Sequence, residues 1–380
     1  MLRAKTLAAA ALLVVLGATA SAARAGQGLL IGVDDDSLEW TATVPHFVQV
    51  QRSLGIGAVR MTLQWSPGES AVLDKTDQTS LRRMSQAVRF GDRVVLDVYG
   101  AAGAAPTTPL ARSQFCQYTV SALQQAPGVN DVVIWNEANS PKFWASPDPA
   151  AYEALLAQCY DAIHARRPWA NVISSTSPHQ NPAAFIAGLG AAYRASGRTS
   201  PIFDTFGHNA YPQDDAEAPD AQHAATSHSI DEGDYERLLA ALTSAFSGTG
   251  QPVPGQGSVT IWYLEDGFQT IVPPSEAGLY DGTELDRSPI PALALSGQET
   301  SADVDQAGQL STALELAYCQ PAVGAFFNFQ LVDDPDLAGW QSGLLWPDWT
   351  PKPSVPAFRS AAAAVAAGQV DCSRFPASVR

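Results

Sequence analysis

Eight short apolar runs, each followed by a segment of helical periodicity, extend from residue 29 to residue 367. The runs are rich in Val, Ile and Phe and are continuously apolar, which is typical of strands buried on both faces of a parallel sheet. Eight such units predict a single-domain α/β fold, the closed (β/α)8 or TIM barrel. We predict strands at 29–33, 58–62, 94–98, 132–135, 172–175, 203–207, 259–264 and 325–329, and helices at 45–54, 80–90, 111–125, 149–166, 182–195, 234–246, 305–318 and 355–367.

An open, doubly wound sheet is the main alternative to the closed barrel. Such sheets usually carry a GxGxxG turn after the first strand, whereas Gly32 is followed here by Val33 and three aspartates. We therefore expect no dinucleotide, and no other cofactor is indicated. No linker-like tract divides residues 26–380, which are expected to form one domain. The polar loops 214–231 and 273–301 follow the sixth and seventh strands, on the face where long loops often carry specificity.

The first 25 residues have the layout of a secretory signal peptide. A basic start with Arg3 and Lys5 precedes an apolar stretch at 7–16 and a small-residue tail, and cleavage is expected near Ala25. The apolar stretch is too short to span a bilayer. We expect a secreted protein, either extracellular or, if the source has an outer membrane, periplasmic.

The chain is strongly acidic. Its formal charge is −16, and removal of three basic and no acidic residues with the signal peptide makes it −19. Nucleic acid and anionic membranes would be repelled by this charge, so we expect neither as a partner. The balance suits a soluble protein that acts on neutral material, although keeping a secreted protein soluble explains the charge equally well. We expect a monomer.

Four cysteines in an exported protein are compatible with two disulfides, for which the sequence permits three pairings. The barrel topology favours Cys116–Cys159 and Cys319–Cys372. Zinc binding is the weaker interpretation, because no two of the cysteines form a close CxxC pair.

Two glutamates directly follow apolar runs. Glu137 ends the fourth run and Glu265 ends the seventh. Strands four and seven lie on opposite sides of an eight-stranded ring, so both carboxyl groups are expected to face one central opening. Glycoside hydrolysis needs such a pair, one to protonate the departing oxygen and one to attack the anomeric carbon. Either glutamate alone is more simply interpreted as a salt-bridged or capping residue.

The segments 135–139 (WNEAN) and 264–268 (LEDGF) resemble the fourth- and seventh-strand motifs of clan A, the retaining barrel glycosidases that include cellulases, mannanases and β-xylosidases. Within that clan, the chain is similar to bacterial proteins of the cellulase-like or family 39-like type. The resemblance implies a glycoside hydrolase that cleaves β-glycosidic bonds of a poly- or oligosaccharide by double displacement. It also implies that Glu137 is the acid/base and Glu265 the nucleophile.

The resemblance extends to substrate-binding candidates near these two glutamates. Asn136 would hold the sugar 2-hydroxyl, and Arg60 closes the second strand, where the clan usually has an arginine near the nucleophile. Tyr211 matches the sixth-strand tyrosine that hydrogen-bonds the nucleophile. The usual motif has His-x-Tyr, whereas two residues separate His208 from Tyr211 here, which leaves the role of His208 more open than that of Tyr211.

Aromatic and polar residues at strand ends complete the candidate site. Eight of the nine tryptophans fall at or just after predicted strand ends, where their faces could stack on sugar rings, although any single one is more simply core packing. Asp34, Asp35 and Asp97 could bind hydroxyl groups or equally cap the following loops. The further substrate-binding candidates are Trp65, Asp97, Trp144, Trp262, Gln330 and Trp340.

Other functions are weaker interpretations. A metal-dependent hydrolase would need His or carboxylate clusters at strand ends, and only His208 qualifies, so no metal is expected. Asp333 and Asp334 could bind calcium only with further oxygen ligands. His223 is interpreted as a solvated side chain of the loop 214–231. A catalytically inactive barrel that only binds carbohydrate is the main rival to the enzyme, and an inverting mechanism would need a wider carboxyl separation.

Overall fold

A computed structural model of the protein describes residues 28–39, 43–214, 216–255, 259–283 and 305–380. The predicted signal peptide, Trp40 and residues 284–301 of the second long loop lie outside the described residues. The strands are β1 (Leu30–Asp34), β2 (Ala58–Gln64), β3 (Arg93–Tyr99), β4 (Asp131–Ile134), β5 (Asn171–Ile173), β6 (Thr205–Asn209), β7 (Thr260–Asp266) and β8 (Val323–Phe329). The α-helices are α1 (Val44–Leu54), α2 (Lys75–Arg89), α3 (Pro109–Gln125), α4 (Pro149–His164), α5 (Pro182–Ser196), α6 (Tyr235–Phe246), α7 (Gln306–Cys319) and α8 (Val355–Ala367).

The eight strands form a closed parallel barrel. Each strand pairs with its neighbour in sequence, and β8 pairs with β1 from Leu30 opposite Ala325 to Asp34 opposite Phe329. The predicted (β/α)8 barrel is therefore confirmed. Because all the strands are parallel, their C-terminal ends meet at one face, where barrels of this type place their functional residues.

The sixth strand lies two residues later than predicted. The aromatic ring of Phe203, the first residue of the predicted strand, packs against Phe206 and Phe246 before the strand begins. The pairing of β6 with β7 then shifts between His208 and Asn209. A shift of this kind inserts a residue and redirects the side chains beyond it, and an apolar run in the sequence does not reveal it.

Helix α2 begins five residues earlier than the predicted start at 80. The side chain of Asp74 caps it by accepting hydrogen bonds from the backbone N–H groups of Thr76 and Asp77. The first turn is polar, so apolar periodicity starts only at Leu81. The cap, rather than hydrophobic patterning, fixes this boundary.

The core has two layers. One lies between the barrel and its helices, and a smaller one fills the interior of the barrel. Trp262 belongs to the interior layer, packs against Phe327, and has the guanidinium of Arg93 over its ring. Arg93 is the first residue of β3, so Trp262 fills the N-terminal end of the barrel and lies away from the C-terminal face.

Two disulfides tie the outer layer together. Cys116 in α3 is bonded to Cys159 in α4, and Cys319 at the end of α7 is bonded to Cys372 near the C-terminus. The pairing favoured from the sequence is confirmed. Within the part of the chain that the structure describes, no helix combines the length and apolar character needed to cross a membrane.

Candidate active site

A cavity of about 1070 Å³ opens at the C-terminal ends of the barrel strands. Its size is at the upper end of the range for pockets that bind small ligands. Residues from all parts of the chain meet here, because the parallel strands end at one face. Of the twelve residues predicted from the sequence, the following line the cavity: Arg60, Asp97, Asn136, Glu137, Tyr211, Glu265, Gln330 and Trp340.

Glu137 follows β4 in an irregular backbone segment. Both Trp135 and Glu137 have positive φ angles, 68° and 41°, which usually cost about 1 kcal/mol or more for residues other than glycine. The backbone N–H of Glu137 donates to Oγ of Ser175, and its carboxylate Oε1 accepts a hydrogen bond of 2.8 Å from the amide of Asn209. Burial and the charge of Glu265 raise the pKa of Glu137 to about 7.

Glu265 contacts a cation and a hydroxyl donor. Its Oε1 lies 2.6 Å from the guanidinium of Arg60, and its Oε2 accepts a hydrogen bond of 3.0 Å from the hydroxyl of Tyr211. Burial and the charge of Glu265 hold the pKa of Tyr211 well above its usual value, so this hydroxyl stays protonated and remains a donor. The two glutamates therefore share one cavity in contrasting electrostatic environments.

Arg60 lies at the centre of a buried charge network. Besides Glu265, its guanidinium bonds Asp34 at 2.6 Å, Asp97 at 2.5 Å and the Oδ1 atom of Asn136 at 3.0 Å. Burial raises the pKa of Asp97 to about 7, although Arg60 opposes the shift. Asp97 and Asp34 thus hold Arg60 beneath the cavity. Both aspartates contact the arginine. Among the described residues, neither caps the loop that follows its strand.

Asn209 was not among the sequence candidates, although it contacts Glu137 directly. The pairing of β6 with β7 is irregular at this point, because Leu264 of β7 is passed over between the partners of His208 and Asn209. Asn209 reaches Glu137, whereas Tyr211, two residues on, reaches Glu265. The sequence of β6 carried no signal for this contact, because the additional residue of the irregular pairing, Leu264, lies in β7.

An aromatic group forms one wall of the cavity. The ring centroids of Tyr211, Trp340 and Phe329 lie 5.5–6.0 Å from one another. Gln330 lines the same region, and its side-chain carbonyl oxygen has no hydrogen-bond partner among the described residues. Trp349 also lines the cavity and contacts the ring of His46.

The expected rim of eight tryptophans requires correction. Trp65 and Trp144 are 2% and 1% exposed, and their rings pack on opposite sides of Trp135 in the layer between barrel and helices. Trp262 lies inside the N-terminal end of the barrel, as described above. These three predicted substrate-binding residues are core residues. A position near a strand end does not determine whether the side chain points to the cavity or to the helices.

His208 also does not line the cavity. Its ring nitrogens lie 2.9 Å from the hydroxyl of Thr176 and 2.8 Å from the carbonyl oxygen of Ile230, and the residue is fully buried. Burial lowers the pKa of His208 to about 4, so the imidazole is neutral. Its contacts hold the segment before α6. His208 was predicted to bind substrate, and its buried position away from the cavity corrects that prediction.

Two further aspartates have structural partners. Asp35 accepts hydrogen bonds from the backbone N–H groups of Leu331 and Val332, which corresponds to the capping alternative. Asp333 forms a fully buried ion pair of 2.7 Å with Lys352. The ammonium group occupies the position in which a calcium ion would neutralise Asp333, so the calcium interpretation is not supported there.

No protein-family model and no curated protein sequence matches the chain, whereas solved structures match it in fold. A family 39 glycoside hydrolase from Bacteroides cellulosilyticus WH2 matches with a TM-score of 0.61 at 18% identity, over 87% of this chain and 63% of that one. A GH39 enzyme from Xanthomonas axonopodis pv. citri matches with a TM-score of 0.55 at 17% identity, over 89% of this chain and 66% of that one. An exo-β-1,4-mannosidase from Opitutaceae bacterium strain TAV5 matches with a TM-score of 0.57 at 15% identity, over 90% of this chain and 60% of that one.

These matches show that the fold is the (β/α)8 barrel found in family 39 glycoside hydrolases, as the resemblance of segments 135–139 and 264–268 implied. The chain spans less than two thirds of the length of each of the three structures. Fold and cavity together define a barrel protein with two carboxyl groups, in different electrostatic environments, at the ends of opposite strands.

Proposed function

We propose that the protein is a retaining glycoside hydrolase that cleaves β-glycosidic bonds of a neutral poly- or oligosaccharide. The observation that carries this proposal is the contrast between Glu137 and Glu265. Glu265 contacts a cation and a hydroxyl donor, while burial raises the pKa of Glu137 to about 7. Double displacement needs one carboxylate and one carboxylic acid in one cavity at the same time.

In the first step, a carboxylate oxygen of Glu265 attacks the anomeric carbon while the bond from that carbon to the leaving oxygen breaks. Glu137 gives its proton to the leaving oxygen, so the departing sugar leaves as a neutral alcohol. The product is a glycosyl ester of Glu265. Arg60 and Tyr211 orient the attacking carboxylate through their contacts with its two oxygens.

In the second step, water attacks the anomeric carbon and the ester bond to Glu265 breaks. Formation of the ester has removed the negative charge that helped to raise the pKa of Glu137. Glu137 is now a carboxylate and takes the proton from the water. The two inversions together retain the β configuration.

Substrate binding is assigned to the polar and aromatic walls of the cavity. The Oδ1 atom of Asn136 accepts from Arg60, so its amide nitrogen is oriented as a donor to the sugar 2-hydroxyl. Trp340 offers a face for stacking, and Gln330 an acceptor for a hydroxyl group. Asp97 acts through Arg60.

The two disulfides support the proposal of a secreted protein.

The function is tested with a panel of aryl β-glycosides and plant or microbial polysaccharides. Wild type, Glu265→Gln and the matched control Glu236→Gln, which changes an exposed glutamate of α6, are assayed together. We expect hydrolysis by wild type and the control and a loss of at least about 1000-fold in Glu265→Gln. Proton NMR should show the β anomer first. Glycan binding without hydrolysis by wild type would instead support the inactive carbohydrate-binding alternative.

A further inference from the structure

A second group of ionisable side chains lies in the segment between β6 and α6, and none of its members lines the cavity. Glu217, His223 and Asp231 each bring one potential ligand atom within 4.8 Å of the other two. The imidazole of His223 is only 13% exposed and is surrounded by carboxylates, so the interpretation of a solvated histidine is wrong.

Asp231 is the most buried member of the group. Its side chain is only 5% exposed, and among the described residues neither carboxylate oxygen has a hydrogen-bond donor, although Oδ2 lies 3.1 Å from Nδ1 of His223. A buried carboxylate without donors is expensive unless a cation accompanies it.

The contacts of His223 direct its second nitrogen towards Glu217. Nδ1 lies 2.9 Å from Oδ2 of Asp234, which Arg237 holds at 3.0 Å, so Nδ1 is the donor. Nε2 then lies 3.1 Å from Oε1 of Glu217. Two such acceptor atoms approach this closely only with a proton or a metal ion between them. A carboxylate that orients a histidine through its other nitrogen is the usual outer partner of a metal-bound imidazole.

We propose that Glu217, His223 and Asp231 bind a zinc ion, with Asp234 orienting the imidazole and water completing a tetrahedral site. One nitrogen and two carboxylate ligands suit zinc, whereas calcium and magnesium prefer oxygen ligands throughout. Zinc–ligand bonds of about 2.0–2.2 Å place neighbouring ligand atoms about 3.4 Å apart. The Nε2 atom of His223 and Oε1 of Glu217 are already near this separation, and the potential ligand atoms of all three residues lie within 4.8 Å of one another.

The zinc site is structural and fastens the segment that forms part of the cavity wall. Oε2 of Glu217 accepts a hydrogen bond of 2.6 Å from the backbone N–H of Gln213, which lines the cavity. Asp231 lies just before α6 and follows Ile230, whose carbonyl oxygen contacts His208. A bound ion therefore joins the beginning of the segment to its end.

The test is thermal unfolding of the full protein after removal of metal ions by a chelator. Added zinc chloride should raise the midpoint of wild type by several degrees, whereas calcium and magnesium chloride should not. Titration calorimetry should give one zinc ion per chain, and cobalt chloride should give the intense visible absorption of a tetrahedral site. Absence of zinc binding to wild type would overturn the proposal.

Variants identify the ligands. His223→Gln and Asp231→Asn should abolish the zinc-dependent shift, while the control His228→Gln, which changes an exposed histidine of the same segment, should retain it. Asp231→Asn removes a buried charge and keeps the shape, so its metal-free form should be at least as stable as wild type. Zinc binding by Asp231→Asn or His223→Gln with unchanged affinity would contradict the assignment.

Discussion

The guanidinium of Arg60 lies 2.6 Å from Oε1 of Glu265, 205 residues away in the sequence, and only 2% of the arginine side chain is exposed. The same guanidinium bonds Asp34 and Asp97, so one cation accompanies three carboxylates. The orientation of Glu265 thus depends on a network anchored in β1, β2 and β3. Loss of Arg60 would leave buried carboxylates without their counter-charge.

We expect Arg60→Met to destabilise the protein by about 3–5 kcal/mol, because removal of one partner from a buried ion network leaves uncompensated charge. Urea denaturation measures the change. The control is Arg374→Met, since Arg374 is 44% exposed and its ion pair with Glu315 should contribute less than about 1 kcal/mol. Equal effects of the two substitutions would contradict the importance assigned to the Arg60 network.

We expect kcat/KM to fall as the pH rises through about 7, because Glu137 must hold its proton to act as the acid. Its pKa is raised in the folded state, so Glu137 stabilises the fold fully at low pH and loses that contribution as the pH rises through about 7. Glu137→Gln should therefore be more stable than wild type at pH 8, by roughly 1–3 kcal/mol, and show no such difference near pH 4.

The measurements are pH–rate profiles for an aryl glycoside and unfolding curves at both pH values. In Glu137→Gln the basic limb should disappear together with most of the activity. Azide should partly restore turnover of an activated substrate by Glu137→Ala. A basic limb that survives in Glu137→Gln would assign the acid to another residue.

We expect Tyr211→Phe to lower kcat/KM by about 10- to 1000-fold without changing stability by more than about 1 kcal/mol. The substitution removes one hydrogen bond to Glu265 and keeps the aromatic ring that packs on Trp340 and Phe329. Steady-state kinetics and thermal unfolding separate the two effects. A loss of stability without a loss of kcat would show that the hydroxyl is only structural.

The two classes of tryptophan should respond differently to truncation. Trp340→Ala should raise KM with little effect on stability, because the ring lines the cavity and is partly exposed. Trp65→Ala should cost about 3–5 kcal/mol of stability, because its ring is buried between Phe115 and Trp135. Kinetics and denaturation of both variants provide the comparison, and the reverse pattern would contradict the placement of these rings.

The sequence predicts the barrel and eight of the residues that line the cavity, because both depend on one regularity. Apolar runs mark the parallel strands, and residues that follow them meet at a single face, which brings Glu137 and Glu265 to one cavity. The cysteine pairs follow from the same topology, since α3 is the neighbour of α4 in the ring of helices.

Side-chain direction could not be predicted in the same way. Trp65 and Trp144 occupy positions similar to those of cavity residues, yet they point towards the helices. The pairing of β6 with β7 becomes irregular beside Asn209, which contacts Glu137, because β7 carries the additional residue Leu264 there; local sequence does not encode this irregularity. The cluster around His223 arises from a long loop whose ends meet only in the fold.

The most direct test of the account is to trap the covalent intermediate. An activated 2-deoxy-2-fluoro β-glycoside of the preferred sugar is added to wild type, the reaction is quenched, and the digested peptides are analysed by mass spectrometry. The account predicts one glycosyl group per chain, on the peptide that contains Glu265, and none in Glu265→Gln. A label on any other residue, or turnover of the natural substrate with the inverted anomer as first product, would contradict it.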